Sequence, residues 1–279
     1  MLRRILLPLD SSPFTEAALN WSCYVAKTTG AEITGLTVMD IPGIEKSVGS
    51  APLGGIYFAQ HLVEKKEKVA LEQISKILES FQNKCNTERV AYQLSECQGN
   101  PSEQIIHDSI YFDLVVLGLK TYYGVDEEAK QGHSVEKIMG ASVTPIFAVP
   151  DRFVIPEDKV NVLMAFDGSD SAARAMHTFA QLSGTAKFDV TILMSSEKSE
   201  TAQWPLSQAE QYLRAHGFAD VKGVWTPRQI IEEIQDSYIE NVNLFVLGAH
   251  SRSGIADFML GSLSKYLIRN ENKFLLIGQ

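Results

Sequence analysis

The chain has 279 residues, of which 45% are hydrophobic and 21% are charged, and its formal net charge at pH 7 is -9. This length suits two domains of ordinary size, each able to bury a core of its own. The acidic balance excludes a surface that holds duplex nucleic acid through many phosphate contacts, since the basic residues form only short pairs.

The first half of the sequence alternates between predicted strands and helices. Residues 2–9 form a short, continuous apolar run, which is typical of a strand buried on both faces of a parallel sheet. Ser12 and Pro13 then predict the start of a helix that continues to about residue 27. The next predicted elements are a strand at 32–39, a glycine-rich loop at 43–55, a helix at 57–82 and a strand at 89–97.

Proline follows a capping residue at two further points. Residues 100–103, Asn-Pro-Ser-Glu, are a capping box with proline at the first helical position, and residues 226–229, Thr-Pro-Arg-Gln, repeat that pattern. Strands at 114–118 and 145–149 complete the first half. These elements predict about five mostly parallel strands, with right-handed helical crossovers that cover both faces.

Three short sequences of the first half return in the same order in the second half. The pairs are LLPLDSS at 6–12 with LMAFDGS at 163–169, LVVLGLK at 114–120 with LFVLGAH at 244–250, and TPIFAVP at 144–150 with NKFLLIG at 272–278. Such a repeat indicates one fold that is present twice. The predicted class is α/β, with two tandem, doubly wound, five-stranded, mostly parallel sheets and helices on both faces, in domains at 1–152 and 158–279.

The two copies differ in length before their fourth strands. Asp167 follows Asp10 by 157 residues, whereas Gly248 follows Gly118 by 130. The first copy therefore carries about 27 residues that the second lacks. We place this insertion near residues 41–70.

Four residues stand where a ligand is expected. In a doubly wound sheet, ligands bind beyond the carboxyl ends of the strands, at the point where the strand order reverses. Asp10 and Asp167 each end a first strand, and Gly118 and Gly248 each end a fourth strand. The aspartates can instead cap the loops that follow them, and the glycines can be tight strand ends, which is the preferred interpretation of Gly118.

Beyond Gly248 the second copy has a pattern suited to phosphate. Residues 248–251, Gly-Ala-His-Ser, are followed by nine residues and then by 261–264, Gly-Ser-Leu-Ser, at the start of the last predicted helix. Glycine permits close approach of the backbone, serine hydroxyls donate, and a helix start carries partial positive charge. Ser262 and Ser264 can alternatively be ordinary helix caps. The six histidines show no close pair at metal-ligand spacing, so no metal site is predicted.

With these motifs the chain resembles the universal stress protein family in its tandem two-domain form. The resemblance covers nearly all residues apart from the inserted segment, and it implies a Rossmann-like, adenine-nucleotide α-hydrolase-like fold. Family members that bind ATP carry Gly-x-x-Gly, nine residues, and then Gly followed by Ser or Thr. Gly248, Gly261 and Ser262 fit this spacing, whereas Ser251 stands where the second glycine is expected. A positive φ there would cost serine about 1 kcal/mol.

The resemblance implies a site for ATP, with or without Mg²⁺, in the second copy. At the positions that face the adenine side of the nucleotide in the family, this chain has Ala165, Asp167 and Ser195. At the positions that face the phosphates it has Gly248, His250, Ser251, Gly261, Ser262, Leu263 and Ser264.

The first copy departs further from the motif. Thr121 takes the place of the second glycine, the spacer has ten residues, and Gly132-His133 replaces the glycine-serine pair. Acidic residues at 126–128 and at Glu136 would repel a triphosphate that they face. We therefore expect weak or no ATP binding in this copy. A degenerate second site, serving another ligand, would consist of Pro8, Asp10, Val38 and Gly118.

Catalytic turnover is not expected from this sequence. It shows no series of nucleophile, base and orienting group, and it lacks a Walker lysine, a dinucleotide fingerprint and a zinc-hydrolase motif. Slow ATP hydrolysis beside Asp167 is the most that it suggests. Three hypotheses stay open: a nucleotide-binding stress-response protein, a nucleotide-free interaction module of the same fold, and an adenylate-forming or ATP-cleaving enzyme. Trp21, Trp204 and Trp225 are interpreted as packing residues.

The cysteine content predicts a cellular compartment, and the family resemblance predicts how the two halves pair. Three cysteines without a C-x-x-C pair indicate a reduced, cytoplasmic setting, and no apolar stretch is long enough for membrane insertion. Family members pair through their last strands. The resemblance therefore implies that residues 145–149 lie antiparallel to 273–277, as an intramolecular pseudo-dimer, and it allows a homodimer of whole chains.

Overall fold

The computed structural model describes residues 2–49, 55–121, 133–153, 159–182, 187–249, 261–270 and 272–279. Within these residues ten strands form one continuous sheet, in the order β3-β2-β1-β4-β5-β10-β9-β6-β7-β8. The strands of the N-terminal half are β1 (Arg4–Pro8), β2 (Glu32–Met39), β3 (Tyr92–Gln98), β4 (Leu114–Gly118) and β5 (Ile146–Val149). Those of the C-terminal half are β6 (Val160–Ala165), β7 (Phe188–Ser195), β8 (Asp220–Thr226), β9 (Leu244–Gly248) and β10 (Phe274–Gly278).

Helices cover both faces of this sheet. They are α1 (Pro13–Thr29), α2 (Ile41–Val48), α3 (Ile56–Glu88), α4 (Pro101–Ser109), α5 (His133–Ala141), α6 (Asp170–Leu182), α7 (Ser199–Ala215), α8 (Ile230–Ser237) and α9 (Ser262–Asn270). One core cluster joins the sheet to α1, α3, α6 and α7, and a second joins it to α4, α5, α8 and α9. We call these the first and second faces. None of the helices that the described residues form is long and apolar enough to span a membrane.

The strand order confirms the predicted fold class. Each half has the order of a doubly wound sheet, since β1 lies between β2 and β4, and β6 lies between β7 and β9. All neighbouring strands within each half run parallel. Alternation along each strand sends successive apolar side chains to opposite faces: Ile5 and Leu7 join the first core cluster, and Leu6 joins the second.

The two five-stranded halves meet along their last strands. β5 pairs antiparallel with β10, with Ala148 opposite Leu275 and Ile146 opposite Ile277. This pairing confirms the expectation for residues 145–149 and 273–277. It removes two edge strands that would otherwise present unpaired backbone groups.

Helix starts follow the predicted caps in one half but not in the other. The Ser12 side chain accepts a hydrogen bond from the Thr15 N–H, and the Asn100 side chain accepts one from the Glu103 N–H. The cap predicted at Thr226 is wrong, because α8 begins four residues later. Thr226 is still part of β8, where pairing with Ser195 of β7 holds it extended, and its hydroxyl donates to the Glu233 carboxylate at 3.1 Å.

The inserted segment is more helical than predicted. The Asp40 carboxylate accepts a hydrogen bond from the Gly43 N–H at 3.0 Å and caps α2, so the loop prediction is wrong for residues 43–48. A Cβ at Gly43 would lie 2.1 Å from an Asp40 carboxylate oxygen, so this cap requires glycine. Residues 50–54 lie outside the described residues. The following helix, α3, has 33 residues and is therefore about 50 Å long.

Candidate functional site

The strand order places the predicted ligand edge in each half. In the C-terminal half the order reverses at β6, which has β7 on one side and β9 on the other. Ala165 is the last residue of β6, and Gly248 is the last residue of β9. In the N-terminal half Pro8 and Gly118 end β1 and β4 in the same way. The candidate residues therefore lie at the carboxyl ends where doubly wound sheets bind ligands.

Both candidate aspartates hold the turn into the next helix. The Asp167 carboxylate accepts a hydrogen bond from the Ser169 N–H at 2.9 Å, and the Ser169 hydroxyl oxygen accepts one from the Ala172 N–H at 3.2 Å. The Asp10 carboxylate accepts hydrogen bonds from the Ser12 N–H at 2.9 Å, from its hydroxyl at 2.7 Å and from the Thr15 hydroxyl. Each aspartate thus has the structural role that was the alternative to ligand contact.

A cavity of about 670 Å³ opens beside Asp167 on the first face, between α6 and α7. Its walls include Phe166, Met194, Trp204 and Tyr212. Trp204 is 72% exposed, so its interpretation as a packing residue is wrong. The stripe to which it belongs, Thr201, Trp204, Pro205, Gln208 and Tyr212, has helical spacing, which is the sequence signal that would have found it.

The other adenine-side residues lie on the opposite face of the sheet. Ala165 packs against the second core cluster, and the Ser195 hydroxyl donates to the Arg228 carbonyl at 2.7 Å. Met194, the neighbour of Ser195, belongs to the first core cluster because successive residues of a strand alternate between faces. The edge of the sheet therefore separates Ala165 and Ser195 from the cavity beside Asp167.

The two strand-end glycines have a packing explanation. A Cβ at Gly248 would lie 2.5 Å from the Ser171 hydroxyl oxygen and 2.7 Å from the Ser171 carbonyl carbon. A Cβ at Gly118 would lie 2.3 Å from the Phe14 Cβ. In both halves the first helix crosses so closely over the end of the fourth strand that a side chain does not fit there. The presence of glycine at these positions is thus explained without a ligand.

Gly261 differs from these glycines. The nearest atom that a Cβ there would meet, among the described residues, is the Ala249 carbonyl oxygen at 3.7 Å, an ordinary contact. The Gly261 N–H donates to that carbonyl at 3.1 Å, and the Lys265 N–H donates to the Gly261 carbonyl at 3.1 Å. These bonds fix the start of α9 directly beside the end of β9. Ser262 is exposed, Leu263 is half-buried and Ser264 is buried. His250 and Ser251 lie outside the described residues.

In the N-terminal half a threonine closes the end of the fourth strand. The Thr121 hydroxyl donates to the Gly118 carbonyl at 3.0 Å, and Thr121 is fully buried. Val38 packs against the second core cluster, and Glu136 is half-buried in the first turn of α5. Residues 126–128 and Gly132 lie outside the described residues. The closure by Thr121 has no counterpart in the sequence motif and was not expected from it.

Comparison with known proteins gives consistent results. The family model described as "Universal stress protein family" matches residues 1–150. The chain is 25% identical to the universal stress protein Slr1230 from Synechocystis sp. over 290 aligned positions, with 96% of each chain covered. It is 26% identical over 152 positions to the universal stress protein YxiE from Bacillus subtilis, which spans 53% of this chain and 99% of that protein. The crystal structure of a universal stress protein from Archaeoglobus fulgidus is similar in fold, with 19% identity, a TM-score of 0.68 and coverage of 99% and 98% of the two chains.

Proposed function

Since the chain belongs to the universal stress protein family, we propose that its C-terminal half binds ATP or a related adenine nucleotide. We further propose that the bound nucleotide alters contacts with partner proteins in a cytoplasmic stress response. The observation that carries this proposal is the start of α9. Gly261 stands there beside the end of β9, and it is glycine without a packing reason among the described residues.

The phosphates are proposed to bind at this helix start. The backbone N–H groups of the first turn of α9, with the partial positive charge of a helix N-terminus, suit an anion even on a chain of net charge -9. Exposed Ser262 adds a hydroxyl donor. Gly248, His250, Ser251, Leu263 and Ser264 complete the proposed phosphate side, in agreement with the motif of the ATP-binding members that the sequence resembles.

The adenosine is proposed to lie at the ends of β6 and β7. Asp167 is the polar group that the fold brings to the edge beside Ala165. The Ser195 hydroxyl is already bonded to the Arg228 carbonyl, so recognition by Ser195 would use its backbone groups. We propose no catalytic role for these residues. Any hydrolysis would be slow, because Asp167 is the single acidic residue among the proposed contacts.

A single site per chain is favoured by the contrast between the halves. In the N-terminal half, buried Thr121 closes the turn after β4, and Glu136 lies in the first turn of the matching helix. A carboxylate at that end of a helix repels phosphate at short range. The residues of the degenerate site, Pro8, Asp10, Val38 and Gly118, are therefore not proposed to hold ATP.

A charge at the start of α9 tests the proposal. Gly261→Asp introduces a residue that is favoured at a helix start, but it places a carboxylate where phosphate oxygens would approach. Calorimetric titration of nucleotide-stripped protein with ATP and Mg²⁺ is expected to show binding that this variant weakens about tenfold or more.

The matched control is Gly132→Asp, the corresponding position of the N-terminal half, which adds the same charge and should leave ATP affinity unchanged. Asp167→Asn, which keeps an oxygen for the Ser169 N–H, should also weaken binding. If the folded parent protein shows no binding at millimolar ATP, the nucleotide-free interaction module becomes the better explanation.

The organisation of the chain is proposed to follow the repeat. Residues 1–152 and 158–279 would each form a universal-stress-like domain, and the pairing of β5 with β10 would make the chain an intramolecular pseudo-dimer. A homodimer of whole chains is proposed as the next level of assembly. Analytical ultracentrifugation of the full chain, with and without ATP, would measure the mass of the assembly directly.

A further inference from the structure

The inserted segment builds a second cavity, in the N-terminal half. This cavity has a volume of about 510 Å³ and lies on the first face, where α2 and α3 cover the ends of β1 and β2. Its volume is within the range of small-molecule sites. Most of its wall is apolar and includes Leu9, Ile44, Leu62, Val69, Ile74 and Ile77.

One end of the cavity contains a buried hydroxyl, that of Thr37, for which the described residues supply no hydrogen-bond partner. Thr37 is 2% exposed and lines the cavity, and no donor or acceptor among the described residues reaches its Oγ1. Strand alternation turns Thr37 to the same face as Gly35, whose missing side chain leaves room for Phe81 of α3. A buried hydroxyl without a partner is costly, so a polar atom of a ligand at this position would remove that cost.

The other end of the cavity is positively charged. Lys65 and Lys66 both line it, and the Lys66 Nζ donates to the Ser47 hydroxyl oxygen of α2 at 2.7 Å. No carboxylate in the described part of the chain lies within ion-pair distance of either lysine. Ile77, which packs against the first core cluster, is eleven residues from Lys66, and this corresponds to about 16 Å along α3.

Two carboxylates also belong to the wall, but both accept hydrogen bonds from backbone N–H groups at helix starts. The Asp40 carboxylate accepts the Gly43 N–H at 3.0 Å, and the Asp10 carboxylate accepts the Ser12 N–H at 2.9 Å. An anionic group is therefore favoured beside Lys65 and Lys66 and disfavoured near Asp10 and Asp40.

We propose that this cavity binds an elongated amphipathic anion. Its acidic head, a carboxylate or a phosphate monoester, contacts Lys65 and Lys66, and its apolar body lies against the aliphatic side chains of α3. A polar atom at its far end meets the Thr37 hydroxyl. The site goes beyond the nucleotide function, because it lies in the other half of the chain. It shares Asp10 and Val38 with the degenerate second site predicted from the sequence, whereas Thr37, the two lysines and the aliphatic residues of α3 lie outside that motif.

The C-terminal half lacks the parts from which this site is made. There β7 ends at Ser195 and α7 begins at Ser199, and α7 has 17 residues where α3 has 33. The insertion thus adds both the covering helix α2 and the turns of α3 that carry the lysines.

Calorimetric titration with paired ligands tests the head group. Decanoate and decyl phosphate are expected to bind the full chain, and decylamine is expected to bind more weakly. Whichever of the two anions binds more tightly identifies the preferred head group. The double variant Lys65→Gln/Lys66→Gln should lower the affinity for both anions about tenfold or more. Lys68→Gln is the matched control, because Lys68 is exposed on the same helix and does not line the cavity.

The far end is tested by comparing 10-hydroxydecanoate with decanoate. The hydroxyl should improve affinity for the parent protein by about fivefold, and Thr37→Val should remove this advantage. The melting temperature of Thr37→Val should not fall, since the hydroxyl bonds to none of the described residues. Gly261→Asp should bind these anions as the parent does, which separates this test from that of the nucleotide site. Absence of anion binding at millimolar concentration, or binding that the double lysine variant leaves unchanged, would overturn the proposal.

Discussion

Gly248 and Gly261 belong to one sequence motif, yet the fold gives them different reasons to be glycine. A Cβ at Gly248 would meet Ser171 of α6 at 2.5 Å, whereas a Cβ at Gly261 would meet its nearest described neighbour at 3.7 Å. A motif read from sequence cannot separate these reasons, because the contact with Ser171 depends on how α6 crosses β9. The difference leads to a prediction about stability.

Gly248→Ala is expected to lower the free energy of unfolding by about 1–3 kcal/mol, because the added methyl group overlaps Ser171. Gly261→Ser is expected to stay within about 0.5 kcal/mol of the parent protein, since serine is favoured at a helix start. Urea unfolding followed by circular dichroism measures both. Equal losses in the two variants would show that packing alone accounts for both glycines.

The sequence predicts the positions of some site residues well and of others poorly. It places Ala165, Asp167 and Gly248 at the carboxyl edge because strand ends can be read from apolar runs. It does not reveal that the Ser195 hydroxyl is bonded to the Arg228 carbonyl, or that Trp204 is exposed at a cavity, since both depend on contacts between elements. His250 and Ser251 remain predictions.

Among the elements, the strands were more predictable than the connections between them. The second strand was predicted at 32–39 and is observed as Glu32–Met39, because its apolar run is bounded by clear polar residues. The third strand was predicted to start at residue 89 and starts at Tyr92, since α3 extends to Glu88 and Arg89 ends it with a positive φ of 56°. Helix α2 was missed because its cap depends on a close contact between Asp40 and Gly43.

Glu88, at the end of α3, forms ion pairs with Lys27 of α1 and with Lys84. These ion pairs predict that the stability of the fold depends on pH. Lys27 and Lys84 lower the pKa of the Glu88 carboxyl from 4.5 to about 2. A carboxyl with a lowered pKa stabilises the fold above its unfolded pKa, and this stabilisation is lost as the pH falls towards the folded pKa. The contribution of Glu88 should therefore be full at pH 7 and decline between pH 4.5 and about 2.

Glu88→Gln should accordingly lower the urea midpoint at pH 7 and lower it less at pH 3. The effect is expected to be small, since the carboxylate is accessible to solvent and its ion pairs are screened. Glu79→Gln is the control, because Glu79 is exposed on the same helix. A constant difference between parent and Glu88→Gln across this pH range would contradict the assignment of the ion pairs.

The interface between the two halves contains packed aromatic rings as well as the hydrogen bonds of β5 and β10. Phe147 of β5 stacks on Trp21 of α1 with ring centroids 3.7 Å apart, and it lies 5.6 Å from the ring of Phe274 in β10. Phe153 also packs edge-on to Phe274, with ring centroids 4.9 Å apart. One side chain, Phe147, thus contacts elements of both halves.

Phe147→Ala is therefore expected to destabilise both halves of the chain and not only the N-terminal half. The free energy of unfolding should fall by about 3–5 kcal/mol, as for other buried phenylalanines. Hydrogen exchange measured by mass spectrometry should become faster in β4 and β5 and also in β9 and β10. Faster exchange confined to the N-terminal half would mean that the halves are energetically independent across this joint.

One repeat of this universal stress protein is proposed to hold the nucleotide, and the other is not. Equilibrium dialysis of nucleotide-stripped protein against saturating ATP and Mg²⁺ measures the number of nucleotides bound per chain. We predict one nucleotide per chain, because Gly261 at the start of α9 has no packing reason among the described residues and Thr121 closes the turn after β4. Two nucleotides per chain, or none with the fold intact, would contradict the claim.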